Sequence, residues 1–179
     1  MTKEKIMIRM LVSRTELSTP FPEEWQDDCN PEEDEEEEDT DGENAPYATD
    51  PEELPEPTEL LLEGELVTDG NRTELVYEED EFSGMAGSLT TIGFDRTQPE
   101  IVTMMRTGIV RTALVFEKDR RHMCLYNTPF SDFEICVHAL RVENRIRESG
   151  TLELDYLIEI HGACAEHCKI SVDFHHIDE

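Results

Sequence analysis

A chain of 179 residues is long enough for one domain with a sizeable core, and too short for two ordinary ones once its acidic stretch is set aside. Its formal net charge of -29 excludes direct DNA or RNA binding, which needs clustered Lys and Arg to displace phosphate counterions. The charge is uneven, because no Lys or Arg lies between Arg14 and Arg72 whereas Asp and Glu crowd residues 23–59.

From Glu4 to Arg14 the apolar residues Ile6, Ile8, Met10 and Val12 fall on every second position, the pattern of a strand with one buried face. Residues 20–57 contain PEEDEEEEDTDGE and seven prolines, with few large apolar side chains to offset the entropy of ordering. This stretch reads as a disordered acidic loop inserted after the first strand. Strand character resumes at ELLLEGELV, and an Asp-Gly turn before TELVYEE predicts a β-hairpin over residues 59–79.

Further alternating runs follow in SLTTIGFD, EIVTMMR, GIVRTALVFE, HMCLY, DFEICVHALRVENRIR, TLELDYLIEIHG and CKISVDFH, broken by turn sequences such as DRTQP, EKDRR and ESG. About nine or ten short strands without a helical stripe predict an all-β chain, residues 1–179 forming one domain. Closing the meander into an antiparallel barrel hides the edge strands, although a two-sheet sandwich has the same alternation. Bulky residues on the interior strands (Met104, Leu114, Phe116, Phe133, Leu154, Ile158) favour a narrow cavity or none.

The residues MMRTGIVRTALVFE, YNTPF and ESGTLELDYLIEI, in this order, resemble the YwiB-like family of small bacterial proteins of unassigned function. Arg106 and Gly108 match its Arg-x-Gly turn, Tyr126, Thr128 and Pro129 its Tyr-x-Thr-Pro segment, and Gly150 with Tyr156 its last long hairpin. The resemblance implies a lipocalin-like, calycin-type barrel. The chain departs from the family in the acidic insertion and in Ser131, which stands where a glycine usually follows.

The candidate ligand-binding residues are Arg106, Tyr126 and Tyr156. An inward arginine offers a planar fork to a carboxylate or phosphate, and the tyrosines offer hydroxyls. Arg106 also lies beside the Thr107-Gly108 turn, where a long side chain reaches water, so a structural role is the competing expectation. Cys124, Cys136 and His138 fall within strand patterns and read as packing residues and a satisfied or surface imidazole.

The stretch HGACAEHC places His161, Cys164, His167 and Cys168 at an expected hairpin tip, a candidate metal site. A closed structural zinc site needs four convergent donors, and no second knuckle of matching spacing exists, so adventitious metal binding or an exposed thiol pair is the expectation. An EF-hand alignment of Glu37, Asp39 and Asp41 fails at Pro46 and Ala48. No nucleophile elbow or phosphate-cradling glycine loop is present, and no cofactor is expected.

The five cysteines are odd in number, charges interrupt the N-terminal apolar run, and no run approaches a membrane span, so the expected setting is cytoplasmic and reduced. The function these features suggest is a non-enzymatic barrel whose interior accepts a small apolar or amphipathic molecule, with no nucleic-acid or membrane partner. The alternative is an interaction protein whose acidic loop engages a basic partner.

Overall fold

In the computed structural model, residues 1–17, 56–81, 85–160 and 163–177 are described. The expected acidic loop of residues 20–57 lies outside the described residues except for its last two. Ten strands follow in order: β1 (Thr2–Glu16), β2 (Thr58–Asp69), β3 (Arg72–Glu78), β4 (Leu89–Asp95), β5 (Gln98–Thr107), β6 (Arg111–Glu117), β7 (Arg121–Asn127), β8 (Asp132–Arg145), β9 (Thr151–Ile160) and β10 (Ala163–His176). Each pairs antiparallel with the next, and β1 also pairs with β10, so the sheet closes as the expected meander barrel.

The first strand illustrates why the sheet closes. Its period-two pattern sends Ile6, Ile8 and Met10 inward, while Arg9 and Glu59 form an ion pair on the outer surface. Corresponding positions on the other strands bring Leu75, Ile92, Val102, Phe116, Leu154 and Val172 into the same core. Burying one face of every strand is the main favourable contribution, and closure leaves neither terminal strand as an edge.

The two ends of the barrel differ. At one end, α1 (Ile146–Ser149) follows β8 and buries Ile146 in the core. Gly150 ends this turn with φ of 73°, a left-handed conformation natural to glycine, and its carbonyl accepts the Phe174 N–H at 3.1 Å. This short helical turn departs from the continuous strand that DFEICVHALRVENRIR predicts. Asn144 and the Arg145-to-Gly150 stretch turn the chain over the barrel end, and Ile146 serves as its plug.

At the opposite end, the C-terminal parts of odd-numbered strands meet the N-terminal parts of even-numbered ones. Here β6 and β7 pair only through Arg111 with Asn127 and Thr112 with Tyr126. The chain after β3 folds against the β5–β6 turn: Glu79 N–H donates to the Ser88 carbonyl at 2.9 Å, and Val110 N–H donates to the Ser88 hydroxyl at 3.3 Å. Gly108 has φ of 127°, and a Cβ there would lie 2.5 Å from the Gly87 carbonyl oxygen. Only glycine allows these two turns to close this tightly.

Ser131 keeps an ordinary backbone. Among the described non-glycine residues only Asp119 has positive φ, and the Thr128 hydroxyl closes the TPFS turn by accepting the Phe130 and Ser131 N–H groups and donating to the Ser131 carbonyl. Among the described residues no helix is long and apolar enough to cross a membrane.

Candidate functional site

The inward-facing positions change character along the barrel axis. Alternation through Ile6, Ile8 and Met10 continues to Val12 and Arg14, and alternation through Val102 and Met104 continues to Arg106. Beyond Leu75 and Tyr77 the same side receives Glu79. The lower barrel is therefore packed with apolar residues, while the open end gathers arginine, glutamate, tyrosine, threonine and thiol groups.

Arg106 is 8 % exposed and Glu79 7 % exposed. Arg106 Nε donates to Glu79 Oε1 at 3.3 Å, and the Thr90 hydroxyl donates to the same oxygen at 2.6 Å. The expectation that Arg106 reaches water at its turn is corrected. Its side chain enters the barrel, where a buried carboxylate compensates the charge that burial would otherwise penalise.

Two cavities flank this arginine. One, of about 290 Å³, lies between Met10, Leu60, Tyr77, Glu79, Met85 and Met104; the other, of about 250 Å³, lies between Leu114, Tyr126, Phe133, Ile135, Tyr156 and Ile158. Arg14 and Arg106 border both. All three candidate ligand residues, Arg106, Tyr126 and Tyr156, therefore converge on the second cavity. Met104, Leu114, Phe116 and Leu154 fill the interior below as expected, but Phe133 is 45 % exposed at the mouth, so it forms part of the wall instead of plugging it.

The candidate metal residues separate. The chain leaves β9 at Ile160 and enters β10 at Ala163, so Cys164, His167 and Cys168 belong to a strand and not to the eight-residue tip the sequence suggested. His161 lies outside the described residues. His167 Nε2 sits 2.6 Å from Asp155 Oδ1, whereas Cys168 is buried and borders the second cavity. Strand alternation turns these neighbours to opposite sides of the sheet, and Cys164 stands opposite Glu159 beyond a bulge. Among the described residues no three His, Cys, Asp or Glu side chains come together as a metal requires.

His138 also departs from the reading as a satisfied or surface imidazole. Its Nδ1 is buried without a hydrogen-bond partner among the described residues, 3.8 Å from Glu159 Oε1, which accepts from Arg121 Nε at 3.1 Å. Cys136 is buried as expected, and its thiol pKa is raised by burial and by Glu159.

Burial dominates the acid–base chemistry of the open end. It pushes the Tyr156 and Tyr77 phenols well above their usual range, with Cys168 and Glu79 respectively adding to the effect. It raises the Cys168 thiol to about 11, helped by the Glu166 charge and opposed by Arg14. Each of these acids is held neutral by folding, so the stability it contributes is complete below its unfolded pKa and is lost as pH rises through the folded value. We therefore expect the thermal midpoint to be flat near neutrality and to fall above about pH 9. Tyr156→Phe should lessen that fall in a pH series of thermal melts, and an unchanged slope would show that Tyr156 does not contribute to it.

Sequence reasoning found Arg106, Tyr126 and Tyr156 but missed Arg14, Glu79 and the interior placement of Cys168. Extending the strand alternation by one inward position would have reached Arg14. Glu79 carried a weaker signal, because it lies one residue past the end of β3.

Residues 46–172 match a family model described as "Domain of unknown function (DUF1934)". Among solved structures the chain is similar to the ywiB protein from Bacillus subtilis, with 14 % identity and a TM-score of 0.56, covering 96 % of this chain and 92 % of that one. The structural likeness shows a shared fold, and with the family match it bears out the YwiB-like resemblance. None of the curated proteins matches.

Proposed function

Since the chain belongs to the DUF1934 family, whose description names no activity, we propose from the barrel itself that it is a non-catalytic binding protein for a small amphipathic molecule. The observation carrying this reading is the convergence of Arg106, Tyr126 and Tyr156 on one cavity otherwise walled by Leu114, Phe133, Ile135 and Ile158. Small-molecule sites combine mostly apolar walls with a few placed polar groups, and barrel mouths are common places for them. The cavity of about 250 Å³ lies near the lower end of the usual range, about 300–1,000 Å³, which points to a compact ligand.

The non-catalytic part of the proposal rests on the same chemistry. Cys168 borders the cavity, but with its pKa pushed up to about 11 it is a thiol at neutral pH, and the thiolate is the nucleophile. Burial likewise holds the Tyr156 phenol protonated, suited to donating a hydrogen bond. We place the protein in the cytoplasm, where its buried thiols Cys136 and Cys168 remain reduced.

Native mass spectrometry of the protein purified from its producing cells, combined with uptake of a fluorescent naphthalene probe, tests this reading. The expected result is stoichiometric probe uptake that Ile158→Trp abolishes by filling the cavity, with the unfolding midpoint nearly unchanged. Uptake unaffected by Ile158→Trp, or no uptake by the folded protein, would overturn the assignment of the site.

A further inference from the structure

We propose, building on the binding-barrel reading above, that the ligand is an organic monoanion whose acid group lies between Arg14 and Arg106 and whose compact apolar body occupies the cavity lined by Phe133, Ile135 and Ile158.

Arg14 and Arg106 reach the same space from different strands, β1 and β5, and both border the two cavities. Their charges are not equivalent. Arg106 engages Glu79 through Nε at 3.3 Å, and among the described residues its terminal nitrogens are left for another acceptor. Arg14 has no ion pair among the described residues; it stands opposite Cys168 and borders the cavity from the rim, where it is exposed. A guanidinium is permanently charged and its planar fork suits a carboxylate.

The acidic groups at the site limit the ligand's charge. Glu79 is matched by Arg106, while Glu166 borders the second cavity and accepts from the Cys168 thiol at 3.6 Å. Glu166, with Glu56 bordering the first cavity, already offsets Arg14, so a bound anion adds one charge in excess and is held by the directed forks of the two guanidinium groups. A second would face Glu166 at close range and the repulsion of a chain with net charge -29. This favours a carboxylate or sulfonate over a phosphate dianion.

The apolar wall sets the shape of the remainder. A volume of about 250 Å³ closed below by packed core holds a ring or a branched short chain but not an extended long acyl chain. The Tyr126 and Tyr156 rings add flat surface, and Tyr156 is braced from below by Phe116 at a centroid distance of 4.8 Å.

The test compares 1-naphthoate, its neutral isostere 1-naphthamide and 1-naphthyl phosphate by calorimetry on the full chain. Naphthoate should bind about tenfold or more tighter than the amide, as a charge-assisted hydrogen-bond pair implies, and tighter than the phosphate. Arg14→Met should remove most of the preference for naphthoate over the amide while leaving the fold intact. Removing Arg106 alone would strand Glu79, so Arg106→Met is combined with Glu79→Gln, and this pair should also reduce the preference. Equal affinity of naphthoate and amide would refute the anion assignment and leave the binding barrel standing. Tighter phosphate binding would refute the monoanion. No binding of any probe by the folded protein would overturn both readings.

Discussion

Replacing Arg106 by methionine is expected to destabilise the barrel by about 3–5 kcal/mol, the cost of leaving a buried charge without its partner. The penalty arises at Glu79. With only 7 % of its surface exposed, that carboxylate retains the Thr90 hydroxyl but loses the guanidinium that neutralises it. Adding Glu79→Gln should recover most of the loss, because a neutral amide still accepts from Thr90 and no longer needs a cation. Urea unfolding of the two single variants and the double variant measures this as a coupling energy. Additive effects would mean that the 3.3 Å contact contributes nothing specific and that Arg106 reaches solvent in solution.

That pair illustrates what the sequence conveys and what it withholds. Alternation of apolar residues identified the strands because each pattern is local: Ile6, Ile8 and Met10 declare one buried face without information from elsewhere. Closure was legible for a physical reason too, since ten strands in a meander need some device to protect their edges. The three ligand candidates were also legible, as polar groups at positions otherwise occupied by core residues. Pairing across the barrel was not. Arg106 and Glu79 are 27 residues apart, and nothing in either segment specifies that they meet. Without that contact a route to water seemed the cheaper solution for the arginine.

The hairpin-tip reading of HGACAEHC failed for a related reason. HGACAEHC has the donors of a metal-binding turn, and its small alanines and glycine resemble a loop. In the barrel, however, Cys168 continues the inward series Cys168, Ile170, Val172 and Phe174, and that series extends β10 back through the motif. Sheet register with β9 overrides the local appearance of a turn: Cys168 stands opposite Tyr156 and Ile170 opposite Leu154. Once those residues are in a strand, alternation alone places His167 and Cys168 on opposite faces.

Phe116→Ala should be the costliest truncation of the apolar core, losing about 3–5 kcal/mol. The side chain is fully buried, and its ring meets Tyr156 edge-to-face at 4.8 Å with an interplanar angle of 63°. An alanine would lose the transfer free energy of the ring, create a void that the closed sheet resists collapsing into, and remove an aromatic contact of about 0.5–1.5 kcal/mol. Phe116→Leu preserves much of the volume and should cost clearly less. The distinction bears on the binding site, because Phe116 lies beneath Tyr156, which borders the open-end cavity. Denaturant midpoints at constant slope report the stability loss, and the affinity of 1-naphthoate measured on the same proteins reports the site. If Phe116 is the packed floor, the alanine variant should lose affinity as Tyr156 becomes less fixed. A stability loss below about 1 kcal/mol would mean that the lower barrel is not close-packed, in which case the cavity has no floor to restrict it to compact ligands.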